Sequence, residues 1–189
     1  QQDEIKKRLA FSTVSQVSYI ILGVALASPL AMIGGLAHLV HQGLMKITLF
    51  FCAGIYDERA DVRRIDGLNG LGPRMPWTSV CFSLGAFGMI GLPPLAGFIS
   101  KIYLGLGGLE AGAPWVLGVL AASTLLNAAY FLPLLYRLWI LPAADDAKGD
   151  ERTPGLVVPA VVAALAALGA GGLAASAISP LGWATLIVT

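Results

Sequence analysis

Charge is what this sequence has least of. Only 12% of its 189 residues are Asp, Glu, Lys or Arg, about half the share of an ordinary soluble domain. So few charges cannot dress the surface of a globule of this size. Cysteine is scarce too. Cys52 and Cys81 both lie in apolar runs, which excludes a secreted disulfide scaffold and reads as small apolar packing. A formal net charge of +1 argues against nucleic acid as a partner. No Gly-rich phosphate loop, hydrolytic triad or metal-ligand spacing is present, so no cofactor or metal is expected. Apolar residues are what the chain has in excess: 57% are hydrophobic and the mean hydropathy is +0.78. That excludes disorder and leaves an all-α, polytopic membrane helical bundle embedded in a lipid bilayer.

Five apolar stretches run at about 9–27, 30–54, 77–109, 114–141 and 155–178. Most exceed the ~20 residues that cross a bilayer core as a helix. Ser28–Pro29 marks a tight turn between the first two. The linkers 55–76 and 142–154 are polar and charged, and neither holds a soluble domain. The third stretch would form a helix of about 50 Å against a core of about 30 Å. Gly91-Leu92-Pro93-Pro94 interrupts it near the middle. It is either one discontinuous crossing or two short ones, giving about five to six membrane helices. Irregular backbone at membrane depth is tolerated where it is buried in protein or lines a hydrated cavity, and transporters place ion sites at such breaks.

Cation placement favours the single crossing. Ten of the twelve Lys and Arg residues sit at segment ends or in linkers: Lys6, Lys7, Arg8, Arg59, Arg63, Arg64, Arg74, Arg137, Lys148 and Arg152. One broken crossing puts all ten on one side, the strongest form of positive-inside bias. The expectation is five spans with the basic side cytoplasmic.

The other two cations, Lys46 and Lys101, are embedded in apolar sequence. A lysine at bilayer depth costs about 2.5–3.5 kcal/mol on insertion scales and so faces protein or water rather than lipid. His38, His41, Gln42 and Lys46 fall broadly on one helical face at spacings of three, four and eight. Lysine taken out of water can release its proton nearer the working pH, and histidine titrates near neutrality. The row therefore has the chemistry of a proton relay; snorkelling of Lys46 and hydrogen-bonded structural histidines are the alternative. Lys101 lies about two turns past Pro94, with snorkelling beside Tyr103 as its alternative. Ser12, Ser15, Gln16 and Ser18 on the first helix, and Ser123, Thr124, Asn127 and Tyr130 on the fourth, read as polar contacts between helices or as holders of water.

Four motifs occur in order: Lys7-Arg-Leu-Ala-Phe-Ser-Thr-Val-Ser-Gln16, His38 through Lys46-Ile-Thr-Leu-Phe-Phe-Cys-Ala-Gly54, Gly67-Leu-Asn-Gly-Leu-Gly-Pro-Arg-Met-Pro76, and Gly91-Leu-Pro-Pro-Leu-Ala-Gly-Phe-Ile-Ser-Lys101. Together they resemble the antiporter-like proton-translocating subunits of respiratory complex I, Mrp-type sodium/proton antiporters and membrane-bound hydrogenases, over about residues 5–140. The resemblance implies that Lys46 is the axis lysine after the histidine motif and Lys101 the lysine beyond the helix break formed by Gly91, Pro93 and Pro94. His38 matches the first motif histidine. The second falls at Gln42, with His41 one position early.

By that resemblance, residues 1–141 form the second-repeat part of the proton-translocating unit, and 142–189 a polar linker with a trailing helix. Lys46, Lys101, His38 and His41 would carry protons along a buried axis, with sodium as an alternative ion. In complex I the chain would be a non-redox subunit of an NADH:quinone oxidoreductase, partnered by other membrane subunits in a bacterial or archaeal plasma membrane. The polar start at Gln1–Arg8, with neither an initiator Met nor a signal-peptide pattern, together with the missing first repeat, sets the expectation of a C-terminal part of a longer subunit. The competing readings are a structural module without transport of its own and a sodium/proton exchanger subunit.

Overall fold

A computed structural model describes residues 2–143, 149–151 and 153–188. Among them no strand forms. The helices are α1 (Ile5–Ala25), α2 (Pro29–Ala60), α3 (Leu71–Arg74), α4 (Pro76–Ile90), α5 (Ala96–Glu110), α6 (Trp115–Trp139), α7 (Pro154–Gly172) and α8 (Pro180–Val188). Of these, α1, α2, α6 and α7 are long and apolar enough to cross a membrane, and α4 is a shorter apolar helix. The chain is a multi-pass membrane protein.

Helix α2 is the mast of the bundle, about 48 Å long by its rise. Ser28 starts it: its Oγ accepts from the Ala31 N–H and donates to the Gly107 carbonyl, and Pro29 occupies the first turn, where no N–H is needed. Along α2 from its C-terminal end, the partners come in unbroken order. Tyr56 bonds Ser79 and packs on Phe82; Leu49 meets Gly85, and Met45 meets Gly88 and Gly97; His38 bonds Ser100; Gly34 meets Leu104; Ala31 meets Gly107. Helices α4 and α5 thus run end to end, antiparallel to α2, as one discontinuous crossing. The alternative of two short crossings joined by a Pro-Pro turn is excluded by this order.

The trailing segment is broken too, which the hydropathy did not show. Helix α7 packs Ala160, Ala164 and Ala167 into the core shared with α2 and α4. It stops at Gly172, and α8 continues against Ile33 and Ala37 of α2. Gly171 lies against Pro94–Ala96, so the two breaks are neighbours.

The cations gather at one end, as the single crossing requires. There Ile5 N–H meets the Arg63 carbonyl, Lys6 pairs with Asp57, Gly70 N–H meets the Arg137 carbonyl, and Arg59 reaches the Asp150 carbonyl. Glu151 caps α4 by accepting from the Trp77 and Thr78 amides at 3.0 and 2.6 Å. Lys148 and Arg152 lie outside the described residues.

Candidate functional site

Lys46 and Lys101 are both buried, 6% and 7% exposed, and neither snorkels. The Lys46 ammonium donates to the Leu9 carbonyl at 2.6 Å and to the Ser12 hydroxyl. Both acceptors sit on α1, which lies along the polar face of α2. Lys101 reaches back from α5 to the break. Its ammonium donates to the Ile90 carbonyl at 2.9 Å and to Thr124 of α6 at 3.1 Å. Gly91, with φ +89°, caps α4 in the left-handed region and leaves room for the lysine: a Cβ there would stand 3.1 Å from Lys101 Nζ. Both lysines bond only neutral oxygens in these contacts.

Between them lies His38, fully buried. Its Nδ1 is 2.8 Å from the Ser100 hydroxyl and its Nε2 3.1 Å from Gln16 Oε1. An amide oxygen only accepts, so Gln16 Oε1 pairs with a protonated Nε2, and the Ser100 hydroxyl, which also lies within reach of the Ala96 and Gly97 carbonyls of its own helix, holds the Nδ1 side. The Gln16 amide donates onward to Asn127 at 3.4 Å, and Asn127 donates to the Tyr19 hydroxyl at 3.4 Å. That hydroxyl also bonds Ser123. The Tyr19 ring stands edge-on to His38, centroids 5.0 Å apart, with the Lys101 ammonium 5.3 Å from its centroid.

His41 and Gln42 are buried between Lys46 and His38 in sequence. Neither ring nitrogen of His41 makes a hydrogen bond of normal geometry, although the Ala96 backbone lies beside the ring, and Gln42 Oε1 is equally unpartnered. Three buried polar atoms without partners are uncommon, and water is the usual solution.

The four sequence-predicted relay residues therefore turn inward together around the helix break. The polar stripes divide. Ser12 and Gln16 face the site, as do Thr124, Ser123 and Asn127, whereas Ser15 and Ser18 are exposed and make no helix–helix contact of the expected kind. Ser18 bonds back to the Val14 carbonyl of its own helix. Tyr130 instead binds Arg8 at the basic end. Tyr19 was missed by sequence reasoning. The spacing of Ser12, Gln16 and Tyr19, four and three residues apart on one helical face, is the signal that marks it. Lys101 stands over the Tyr19 ring rather than beside Tyr103.

Residues 1–127 match the transmembrane family of NADH:quinone oxidoreductases and Mrp antiporters. The chain is 43% identical to NADH-quinone oxidoreductase subunit N of Desulforudis audaxviator, over 80% of this chain and 30% of that protein. It is 28% identical to F(420)H(2) dehydrogenase subunit N of Methanosarcina mazei, over 88% of this chain and 35% of the relative. The chain thus spans about a third of the length of these curated relatives. Its fold matches a chain of the NADH-bound respiratory complex I from Thermus thermophilus, with TM-score 0.83, 26% identity, and coverage of 99% of this chain and 40% of that one. A chain of the Mrp complex from Dietzia sp. DQ12-45-1b shares the fold at TM-score 0.87 and 24% identity, covering 99% and 43%. With the broken helix, the two buried lysines and these matches in hand, the chain belongs to the NADH:quinone oxidoreductase/Mrp antiporter transmembrane family.

Proposed function

We propose that this chain supplies the output part of a proton path in a multisubunit respiratory or antiporter complex, with Lys46, His38, His41 and Lys101 as the protonatable groups and residues 142–189 as a trailing element outside the repeat. The observation that carries this reading is the pair of buried ammonium groups held by neutral oxygens on either side of a histidine. A proton on such a group is stabilised by no carboxylate and can be exchanged. His38 suits a relay because a neutral imidazole can take a proton at one nitrogen and release the proton held at the other; Gln16 and Ser100, which do not titrate here, orient the ring. The break adds the carbonyl of Ile90, left without its helical N–H partner, as the acceptor that positions Lys101.

Protons fit this site better than sodium. Among the described residues the buried polar set contains no Asp or Glu, and a hard cation prefers oxygen ligands, carboxylates above all. Two lysines on the axis repel a second cation. Driving energy comes from partner subunits, and the bacterial or archaeal plasma membrane is the setting the relatives favour.

The test is proton uptake by proteoliposomes holding the assembled complex. Lys46→Ala and Lys101→Ala each lower uptake by about 10²-fold, the usual scale for loss of a positioned proton-transfer group, while the complex still assembles. Uptake at the unsubstituted rate in both variants refutes the proposal.

A further inference from the structure

At the basic end, a cavity of about 490 Å³ opens between α1, α6 and the Arg64–Asp66 segment, and the function above does not use it. Three arginines line it, Arg8, Arg64 and Arg137, against two aspartates, Asp3 and Asp66. Each arginine keeps donors to spare. Arg8 bonds the Tyr130 carbonyl at 2.8 Å through one Nη and lies over the Tyr130 ring, but its Nε is buried without a partner. Arg137 spends one Nη on Asn69 at 3.1 Å. Arg64 stands 3.8 Å from Asp3 and 3.5 Å from Asp66, loose exposed pairs of the kind that contribute little.

Convergent guanidinium groups match a phosphate, which they bind through paired N–H donors. The surroundings say where the phosphate comes from. The cavity wall includes Ala129 and Pro133 of α6. From there an exposed apolar stripe runs down the helix through Leu126, Leu125 and Ala122, at spacings that return to one face. On α1 the exposed Phe11 follows Arg8 by one turn. A free phosphate ion has no use for such a stripe, whereas an acyl chain does. The site also lies at the cation-rich end, where anionic headgroups collect around basic residues.

We infer that this cavity is a phospholipid site: the headgroup phosphodiester is held by Arg8, Arg64 and Arg137, and an acyl chain follows the exposed stripe of α6. It is independent of the proton path, since none of its arginines bonds Lys46, His38 or Lys101.

A phosphatidylglycerol carrying a photoactivatable diazirine in its acyl chain, incubated with the purified assembled complex, tests it. After illumination, peptide mass spectrometry locates the adducts. The expected result is adducts on residues 118–133 of α6, reduced about a hundredfold in Arg8→Gln/Arg137→Gln, the scale of two lost charge-assisted contacts. Arg64→Gln, an exposed position that leaves the helices untouched, lowers them about threefold, since a solvent-screened charge contributes less than a buried one. Lys7→Gln, which removes a cation paired with Glu4 outside the cavity, leaves them unchanged. Unlabelled phosphatidylglycerol competes and millimolar inorganic phosphate does not. Adducts insensitive to Arg64→Gln, competition by inorganic phosphate alone, or no adducts on α6 because another polypeptide covers it each overturn the assignment.

Discussion

Tyr19 joins the two halves of the buried site in two separable ways. Its ring packs on His38 and lies under Lys101, and its hydroxyl ties Asn127 to Ser123. Tyr19→Phe keeps the first and removes the second. Proton uptake by the assembled complex then falls about tenfold, the low end for a group that orders a relay rather than carrying the proton, with thermal stability within about 1.5 kcal/mol of the unsubstituted protein. Tyr19→Ala loses the packing as well and costs about 3–5 kcal/mol, as truncation of a buried aromatic does. A denaturation series in detergent separates the two. Lys46 and Lys101 were legible because a cation inside an apolar run is conspicuous. Tyr19 was not, because an aromatic in a membrane helix reads as packing unless its spacing from Ser12 and Gln16 is noticed.

At the scale of elements, the site depends on how closely α2, α5 and the break approach. Gly107 sits against the start of α2, where a Cβ would meet the Ala31 nitrogen at 2.2 Å. That is backbone and cannot turn aside. Gly107→Val therefore separates α5 from α2 and costs about 1–3 kcal/mol or more, read as a lower melting temperature and loss of proton uptake together. Gly91→Ala strains a left-handed residue by about 1–2 kcal/mol and crowds Lys101, so uptake falls more than stability does. The α4–α5 break was legible because Gly-Pro-Pro cannot continue a helix. The α7–α8 break was hidden. Gly171-Gly172 and the small residues before Pro180 keep the hydropathy continuous, and the signal of the restart is the Ser179–Pro180 pair, whose serine accepts from the Gly182 N–H as Ser28 does from Ala31. Ser15 and Ser18 misled for the opposite reason: both face outward, and the Ser18 hydroxyl, bonded to its own helix, needs no partner helix.

Over the whole molecule, the described loop cations and the linkers meet at one end, while both buried lysines lie toward the interior. That polarity was readable from charge placement alone, since only one count of crossings puts the cations together. What the sequence could not show is that the His41 ring nitrogens and Gln42 Oε1 end up buried without a well-formed hydrogen bond, because this depends on α5 and its backbone geometry. The chain spans about a third of its relatives' length and carries, on the present reading, only one part of a transmembrane path. Reconstituted alone in liposomes it is expected to conduct no protons, with a dye-quench rate equal to that of empty vesicles, whereas the assembled complex conducts.

The central claim is that Lys46 and Lys101 serve one path. A double-substitution cycle on proton uptake by the assembled complex tests this most directly. If the two lysines act in series, Lys46→Ala/Lys101→Ala is no slower than the slower single variant. A double variant whose loss is the product of the two single losses contradicts the account and places the lysines on independent routes.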